Sequence, residues 1–277
     1  MTGANGPIPA ARVDHLCFSY SGKPILQDLH LQIEAGSFTV FLGPNGSGKT
    51  TLLKLIAGIL EPTSGRIAVY GEDLNEMPLR KRARRVGYLA QQQQVIFPFL
   101  TEDVVLTGRA GAIRFQPKTE DIDIAIQAMK HVGISHLLHQ PFTELSGGEQ
   151  QLVMIARVVA QNPKMLLLDE PTSHLDLHYQ ARVLRFIQEW KADGHTIVAV
   201  LHDPNHALIA ADRIVLLRQG KVIGQGEPGD IRVEALQDVY RTRLVPFRFR
   251  NQTVVFSDMD DGFTSDAVHP SEQRGKT

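Results

Sequence analysis

A chain of 277 residues with 43% hydrophobic content is long enough to bury a full core, as one large domain or as one domain carrying a subdomain. A formal net charge of -1 and a pI near 6.8 offer no global field for a polyanion or an anionic membrane, so no nucleic-acid partner is expected. The single cysteine, Cys17, excludes an intramolecular disulfide framework and fits a reducing compartment.

Residues 1–9 are polar and rich in glycine and proline, without the apolar core of an export signal, and no apolar run reaches the length of a membrane span. A cytosolic protein is expected, with residues 1–10 as a flexible N-terminus. Residues 13–20 and 25–33 alternate, most clearly where Leu29, Leu31 and Ile33 are separated by His30 and Gln32. This predicts half-buried antiparallel strands joined by a turn at Ser21-Gly22-Lys23-Pro24. Tyr20, at the end of the first strand, can either cover the apolar face of the sheet or offer a ring on which a base stacks.

Phe38-Thr39-Val40-Phe41-Leu42 reads as a buried strand that breaks into Gly43-Pro44-Asn45-Gly46-Ser47-Gly48-Lys49-Thr50-Thr51 and resumes as a helix through Leu52, Leu53, Leu55 and Ile56. The spacing GxxxxGK[ST] is met by Gly43, Gly48, Lys49 and Thr50, with the flanking strand and helix that the motif needs. Residues without a Cβ let successive N–H groups turn inward as an anion nest, backed by the positive end of the helix dipole. Lys49 adds a mobile charge for the terminal phosphates, and the Thr50 hydroxyl is placed to ligate a magnesium ion bridging them. A polyphosphate site of this kind is shared by kinases, GTPases, helicases and transporter ATPases.

Farther on, Arg80-Lys81-Arg82-Ala83-Arg84-Arg85 is the one dense basic run; it lacks interleaved aromatics and reads as a solvated face rather than a nucleic-acid surface. A strand over 86–90 delivers Gln91 at its end, followed by three more glutamines. From Phe97 to Pro141 the pattern is helical, with Thr101 expected to cap a helix ahead of Glu102 and Asp103. A second helix over 121–132 presents Ile122, Ala125, Met129 and Val132. These segments form an inserted helical subdomain over residues 95–160. It ends in Leu145-Ser146-Gly147-Gly148-Glu149-Gln150 and a helix of Leu152, Ile155, Ala156 and Val159 that Asn162-Pro163 stops.

Met165-Leu166-Leu167-Leu168 is continuously apolar, as a parallel strand buried on both faces should be, and it delivers Asp169 and Glu170 to a ligand crevice. A helix over 179–192, a strand over 196–201 ending in His202-Asp203, a helix over 205–211 and a hairpin of 213–217 with 221–223 continue the βαβ rhythm. His174 and His178 stand at metal-ligand spacing, with an ordinary interface or surface pair as the default. From Phe263 the chain is polar and expected to be disordered.

Leu145-Ser146-Gly147-Gly148-Glu149-Gln150 resembles the LSGGQ-type signature of the ATP-binding cassette proteins, departing from its commonest form by Glu149 before Gln150. The resemblance covers residues 13–227. It implies an α/β fold: a P-loop NTPase core of the cassette type, with an N-terminal antiparallel β subdomain and the inserted helices. The nucleotide-binding domain is then residues 11–245, and 246–277 form a C-terminal extension with a partly disordered tail.

The resemblance also assigns roles. Tyr20 matches the aromatic that stacks on adenine, and Gly43 to Thr51 is the Walker A loop. Gln91 is similar to the Q-loop glutamine that contacts Mg2+ and the attacking water, and Asp169 closes Walker B, holding Mg2+ with Thr50 and Gln91. Glu170 resembles the general base, Ser173-His174-Leu175-Asp176 the D-loop, and His202 the switch histidine. Lys49, Gln91, Glu170 and His202 are thus the implied catalytic set. Ser146, Gly147, Gly148 and Glu149, with Asp176, are implied to bind the nucleotide of a second copy, so that two chains sandwich two ATP molecules head to tail.

Integral membrane permease subunits are the implied partners, docking near 91–109, with a substrate-binding protein acting indirectly and the chain peripheral on the inner membrane face. Pro171 to Asp176, Leu201 to Asn205 and Val104 to Arg109 look like the importer subgroup serving iron-siderophores, cobalamin, haem and related chelates or oxyanions. The rival readings are a soluble non-transport cassette ATPase, or a transporter subunit for another cargo or for export. A chromosome-organising relative would need a long heptad coiled coil before the signature, and a translation-factor cassette normally carries two cassettes per chain; neither is present.

Overall fold

The computed structural model describes residues 7–91, 98–113, 115–250 and 252–258. The first part of the expected flexible N-terminus, the glutamines after Gln91 and the tail from Phe263 lie outside the described residues.

In chain order, β1 (Ala11–Tyr20) and β2 (Lys23–Ile33) form a hairpin, and β3 (Phe38–Leu42) and α1 (Lys49–Ile56) flank the glycine loop. β4 (Ser64–Val69), β5 (Glu72–Asp73), α2 (Leu79–Arg85) and β6 (Val86–Leu89) follow, then the helices α3 (Thr101–Leu106), α4 (Thr119–His131) and α5 (Gly147–Ala160). The chain returns through β7 (Met165–Asp169), α6 (Leu177–Ala192), β8 (Thr196–Val200) and α7 (Pro204–Ala210) to β9 (Arg213–Arg218) and β10 (Lys221–Gly226). It closes with α8 (Val233–Tyr240), β11 (Leu244–Phe249) and β12 (Gln252–Ser257).

The large sheet has the order β10-β9-β3-β8-β7-β6, parallel except for β10 at its edge. β3, β7 and β8 are buried along their whole length because both faces are covered. The two-residue period of a strand then divides their side chains between two cores. Phe38, Val40, Leu42, Leu166, Leu168, Ile197 and Ala199 meet α5, α6 and the helical insertion. Phe41, Met165, Leu167, Val198 and Val200 meet α1 and the antiparallel sheet β2-β1-β4-β5. Since β3, β6, β7 and β8 run the same way, the segments that follow them all emerge along one edge of the sheet, which is where ligands bind in such folds.

Four local expectations change in the folded chain. Thr101 is not a cap: it lies in the first turn of α3, fully buried, and its Oγ1 donates to the Gln140 carbonyl at 2.9 Å. In α4 the buried stripe is Asp121, Ala125, Ala128 and Met129, and Ile122 is 44% exposed. Asp121 takes the inward position because its carboxylate accepts from Arg109 Nε at 3.2 Å and from the Lys118 N–H at 3.1 Å.

The basic run on α2 is more than a solvated face. Arg82 donates to the Gly58 and Leu74 carbonyls, and Arg85 to the Val69 carbonyl and Glu72, tying the helix onto the antiparallel sheet. Finally, the expected domain boundary between 245 and 246 falls inside β11. The β11–β12 hairpin is held to α7 by Asn205, whose amide donates to the Val255 carbonyl at 3.0 Å and accepts from the Val255 N–H at 2.8 Å, so it continues the domain.

Candidate functional site

The loop between β3 and α1 is built for close approach. A Cβ on Gly43 would collide with the Leu217 carbonyl oxygen of β9, so only glycine lets the loop leave the sheet there. Lys49, 5% exposed, lies across the loop with Nζ donating to the Gly43 and Pro44 carbonyls at 2.8 and 2.9 Å. Burial pushes its ammonium below the ordinary lysine range, against the pull of Glu170 and Asp169. An anion in the loop would relieve this desolvation. Ser47 Oγ is buried in the same loop without a hydrogen-bond partner among the described residues, a polar atom that a phosphate oxygen would satisfy.

Asp169, at the end of β7, accepts from Thr50 Oγ1 at 2.8 Å on one oxygen and from the Tyr88 hydroxyl at 3.2 Å on the other. Burial raises its pKa, opposed by those two hydrogen bonds. A carboxylate disfavoured as a bare anion, beside a threonine hydroxyl, is a hard-oxygen pair that a small divalent cation would stabilise.

Glu170 is 8% exposed and has φ of 54°, a left-handed backbone that a non-glycine residue adopts only under constraint from its surroundings. The constraint is visible: its N–H donates to the Val200 carbonyl of β8 at 3.1 Å. This turn aims the carboxylate along the sheet edge. Oε2 accepts from Gln91 Nε2 at 2.5 Å and from Ser173 Oγ at 3.2 Å, and Oε1 lies 2.7 Å from His202 Nε2. Gln91 follows β6, Glu170 follows β7 and His202 follows β8, so residues far apart in sequence meet through adjacent parallel strands.

A cleft of about 350 Å3 joins these groups, lined by Asn45, Gly46, Gly48, Lys49, Thr50, Thr51, Gln91, Glu170 and His202, with Ile25 of β2 at its apolar end. A second hollow of about 450 Å3 shares Asn45, Gln91, Glu170 and His202 and continues past Ser173 and His174 to Gln180, Asp203 and His206. Through these shared residues the two hollows adjoin, reaching from the glycine loop to α6 and α7.

Tyr20, the Ser146–Glu149 stretch and Asp176 do not line the first cleft. Tyr20 is 45% exposed, its ring edge-on to Phe18 at 4.7 Å, with Ile25 rather than Tyr20 among the lining residues. Ser146 is the N-cap of α5 in a reciprocal box: Ser146 N–H and Oγ donate to Glu149 Oε2 at 2.9 and 2.6 Å, and the Glu149 N–H returns to Ser146 Oγ at 3.4 Å. Gly147 beside it is exposed, and Gly148 packs beneath on the Tyr179 ring. Asp176 caps α6, accepting from the Tyr179 N–H at 2.9 Å. Asp176→Ala should therefore cost about 1 kcal/mol of stability, read by denaturant unfolding without nucleotide.

His174 lines the second hollow while His178 stacks edge-on against Tyr179, and no third ligand joins them among the described residues. Sequence reasoning missed Tyr88 and Ser173 as partners of Asp169 and Glu170, and Ile25 in the cleft. Tyr88 read as a strand residue, and only its position in β6 beside β7 would have flagged it.

A glycine nest with a buried lysine, a hydroxyl–carboxylate pair suited to a hard cation and a caged carboxylate across the cleft define a P-loop nucleotide hydrolase. The ABC transporter family model matches residues 26–173, more than half of the chain, and the chain belongs to that family as an ATP-binding, ATP-hydrolysing cassette. It is 38% identical to the hemin import ATP-binding protein HmuV of Rhodococcus jostii, over 81% of this chain and 77% of that protein. Among solved structures it is similar to an inward-facing transporter provisionally assigned to the metal-chelate type, with TM-score 0.78, 31% identity and coverage of 89% of this chain and 96% of that one. It is also similar to the dimeric post-hydrolysis cassette MJ0796 bound to ADP and Pi, with TM-score 0.71, 27% identity, and 79% and 98% coverage.

Proposed function

We propose that this chain powers uptake of a metal chelate, such as haem, an iron-siderophore or cobalamin, as the cytoplasmic ATPase of an importer whose permease and substrate-binding protein are separate chains. The observation that carries the reading is the division of the site: Lys49, Gln91, Glu170 and His202 line one cleft, while the Ser146 signature stands exposed outside it. One chain thus presents half of each of two sites, and a head-to-tail pair completes both. The hemin importer relative and the metal-chelate neighbour support the cargo class, and the dimeric cassette supports the pairing. Among the described residues no helix is long and apolar enough to cross a membrane, in keeping with a permease supplied separately.

In this reading Thr50, Asp169 and Gln91 would hold Mg2+, which when bound neutralises phosphate charge. Lys49 leaves the loop carbonyls for the terminal phosphates, and the loop N–H groups take the rest of the charge. Glu170 accepts a proton from the water whose oxygen bonds the γ-phosphorus; the bond to the β,γ-bridging oxygen breaks and its electron pair leaves with ADP. Before nucleotide binds, both Glu170 oxygens are engaged by Gln91, Ser173 and His202. Freeing the base requires His202 to turn to the γ-phosphate and Gln91 to the cation, which couples hydrolysis to closure.

The permease seats in a hollow of about 290 Å3 between α2 and the turn after α3, lined by Gly108, Gly111 and Ala112 and by the exposed Arg80 and Arg84 of α2, while Arg109 is held by Asp121. This suits a short helix bearing acidic groups.

Affinity purification of the chain from detergent-solubilised membranes tests the assignment. The expected result is a multispanning permease, and loss of growth on haemin or a ferric siderophore as sole iron source when the chain is deleted. Recovery without any integral membrane subunit would favour the non-transport ATPase. The adenine contact is tested separately: Tyr20→Ala should weaken ATP binding by about 1–2 kcal/mol in a titration, with unchanged turnover per bound ATP. Native affinity with a lowered melting temperature would instead assign Tyr20 to packing on Phe18.

A further inference from the structure

The hairpin β1–β2 carries a cluster that the ATPase reading does not use. Its inward side chains break step on either side of the Leu16–Leu29 pair: Val13 is followed inward by Leu16 in β1, and Leu26 by Leu29 in β2, each three residues on rather than two. Register shifts flank that pair on both sides, and His15 and Asp28 take left-handed backbone angles of 50° and 48°. The chain accommodates the His15 bulge through Gly65 of β4, where any Cβ would collide with the His15 carbonyl oxygen. The Asp28 N–H donates to Cys17 Sγ at 3.2 Å, anchoring Asp28 from behind.

The successive bulges bring three ligand-type side chains together on the solvent face. His15 Nδ1 lies 2.8 Å and His30 Nε2 3.3 Å from the same Asp28 oxygen, and the three ligand atoms are all within 4.8 Å of one another. The imidazoles meet edge to face, 81° apart with centroids at 4.1 Å. Side-chain exposures of 75%, 69% and 49% for His15, Asp28 and His30 leave the group open to solution. No other trio of His, Cys, Asp or Glu reaches this spacing among the described residues.

We propose that His15, Asp28 and His30 form a surface site for a divalent transition-metal ion of the zinc and cobalt class, separate from the nucleotide cleft. Ligand atoms about 2.0–2.1 Å from a tetrahedral ion stand about 3.3 Å apart, so small rotamer changes suffice to admit one. Two imidazoles with one carboxylate favour zinc, cobalt or nickel over magnesium, which keeps this site chemically distinct from the oxygen-rich Thr50–Asp169 pair. The ion would replace the imidazole N–H donors now facing Asp28 and would cross-link two strands at their irregular point. Water completes the coordination on the open side.

The test uses the full chain, without a histidine tag and free of nucleotide and magnesium, titrated separately with ZnCl2 and CoCl2. One saturable equivalent per chain is expected, with cobalt d–d absorption of a four- or five-coordinate ion and a zinc-dependent rise in melting temperature. His15→Asn, Asp28→Asn and His30→Gln should each weaken binding by at least about tenfold and abolish the melting shift. Asparagine tolerates the left-handed backbone at 15 and 28, and the metal-free melting temperature of each variant reports that the hairpin still folds. His174→Ala/His178→Ala should bind as the native chain does. Absence of a saturable equivalent, or its survival in the three ligand variants, would make the cluster a plain hydrogen-bonded group and overturn the site.

Discussion

Glu170→Gln should reduce steady-state ATP turnover by about 10²–10⁴-fold while leaving ATP affinity near native, the signature of a lost general base. The replacement has the same shape and keeps the left-handed turn after β7, so the cleft is preserved. It cannot take a proton from water. The variant should accumulate as an ATP-bound dimer, seen as an earlier elution on size-exclusion chromatography with ATP and Mg2+. Turnover close to native would remove Glu170 from the role and leave its hydrogen bonds to Gln91 and Ser173 as purely positional.

The second large effect is complementation between dead chains. Lys49→Ala removes the buried charge over the glycine loop, and Ser146→Arg places a bulky cation on the exposed end of α5; each homodimer should be inactive. In a mixed dimer the Lys49→Ala loop faces the Ser146→Arg signature, so both lesions fall on one site and the other is assembled from intact halves. Mixing the two purified variants should restore up to half of the native ATPase activity, provided one site can fire alone.

A doubly tagged heterodimer separates that condition from the geometry. One chain carries both lesions, the other neither, and both carry Glu170→Gln to trap nucleotide. Shared sites then leave one lesion in each, and no ATP should be retained after gel filtration. Retention of one ATP per dimer would mean that the native chain completes its own site, and the head-to-tail arrangement would fall.

Much of the nucleotide site was legible in the sequence because its signals are local. The glycine spacing from 43 to 48, the largely apolar runs of β3 and β7 and the acids at the end of β7 all express short-range backbone and burial requirements. The same logic erred where a local preference met a distant partner. Thr101 looks like a cap until Gln140 takes its hydroxyl, and Ile122 looks like core until Asp121, paired with Arg109, occupies the inward position of α4.

What the sequence by itself determined, then, is the order of the parts: a glycine-lysine loop after a strand, a glutamine after another, a serine-glycine turn before a helix, an acid pair and a histidine, on strands and helices of the right period. What only the tertiary structure decided is which parts touch. The strand order β3-β8-β7-β6 differs from chain order, and it is this pairing that brings Gln91, Glu170 and His202 within hydrogen-bonding reach, recruits Tyr88 and Ser173, and leaves Ser146 outside. The successive bulges that gather His15, Asp28 and His30 likewise depend on the pairing of β1 with β2. Each depends on hydrogen bonds between residues distant along the chain, whose partners the local periodicity of side chains does not encode.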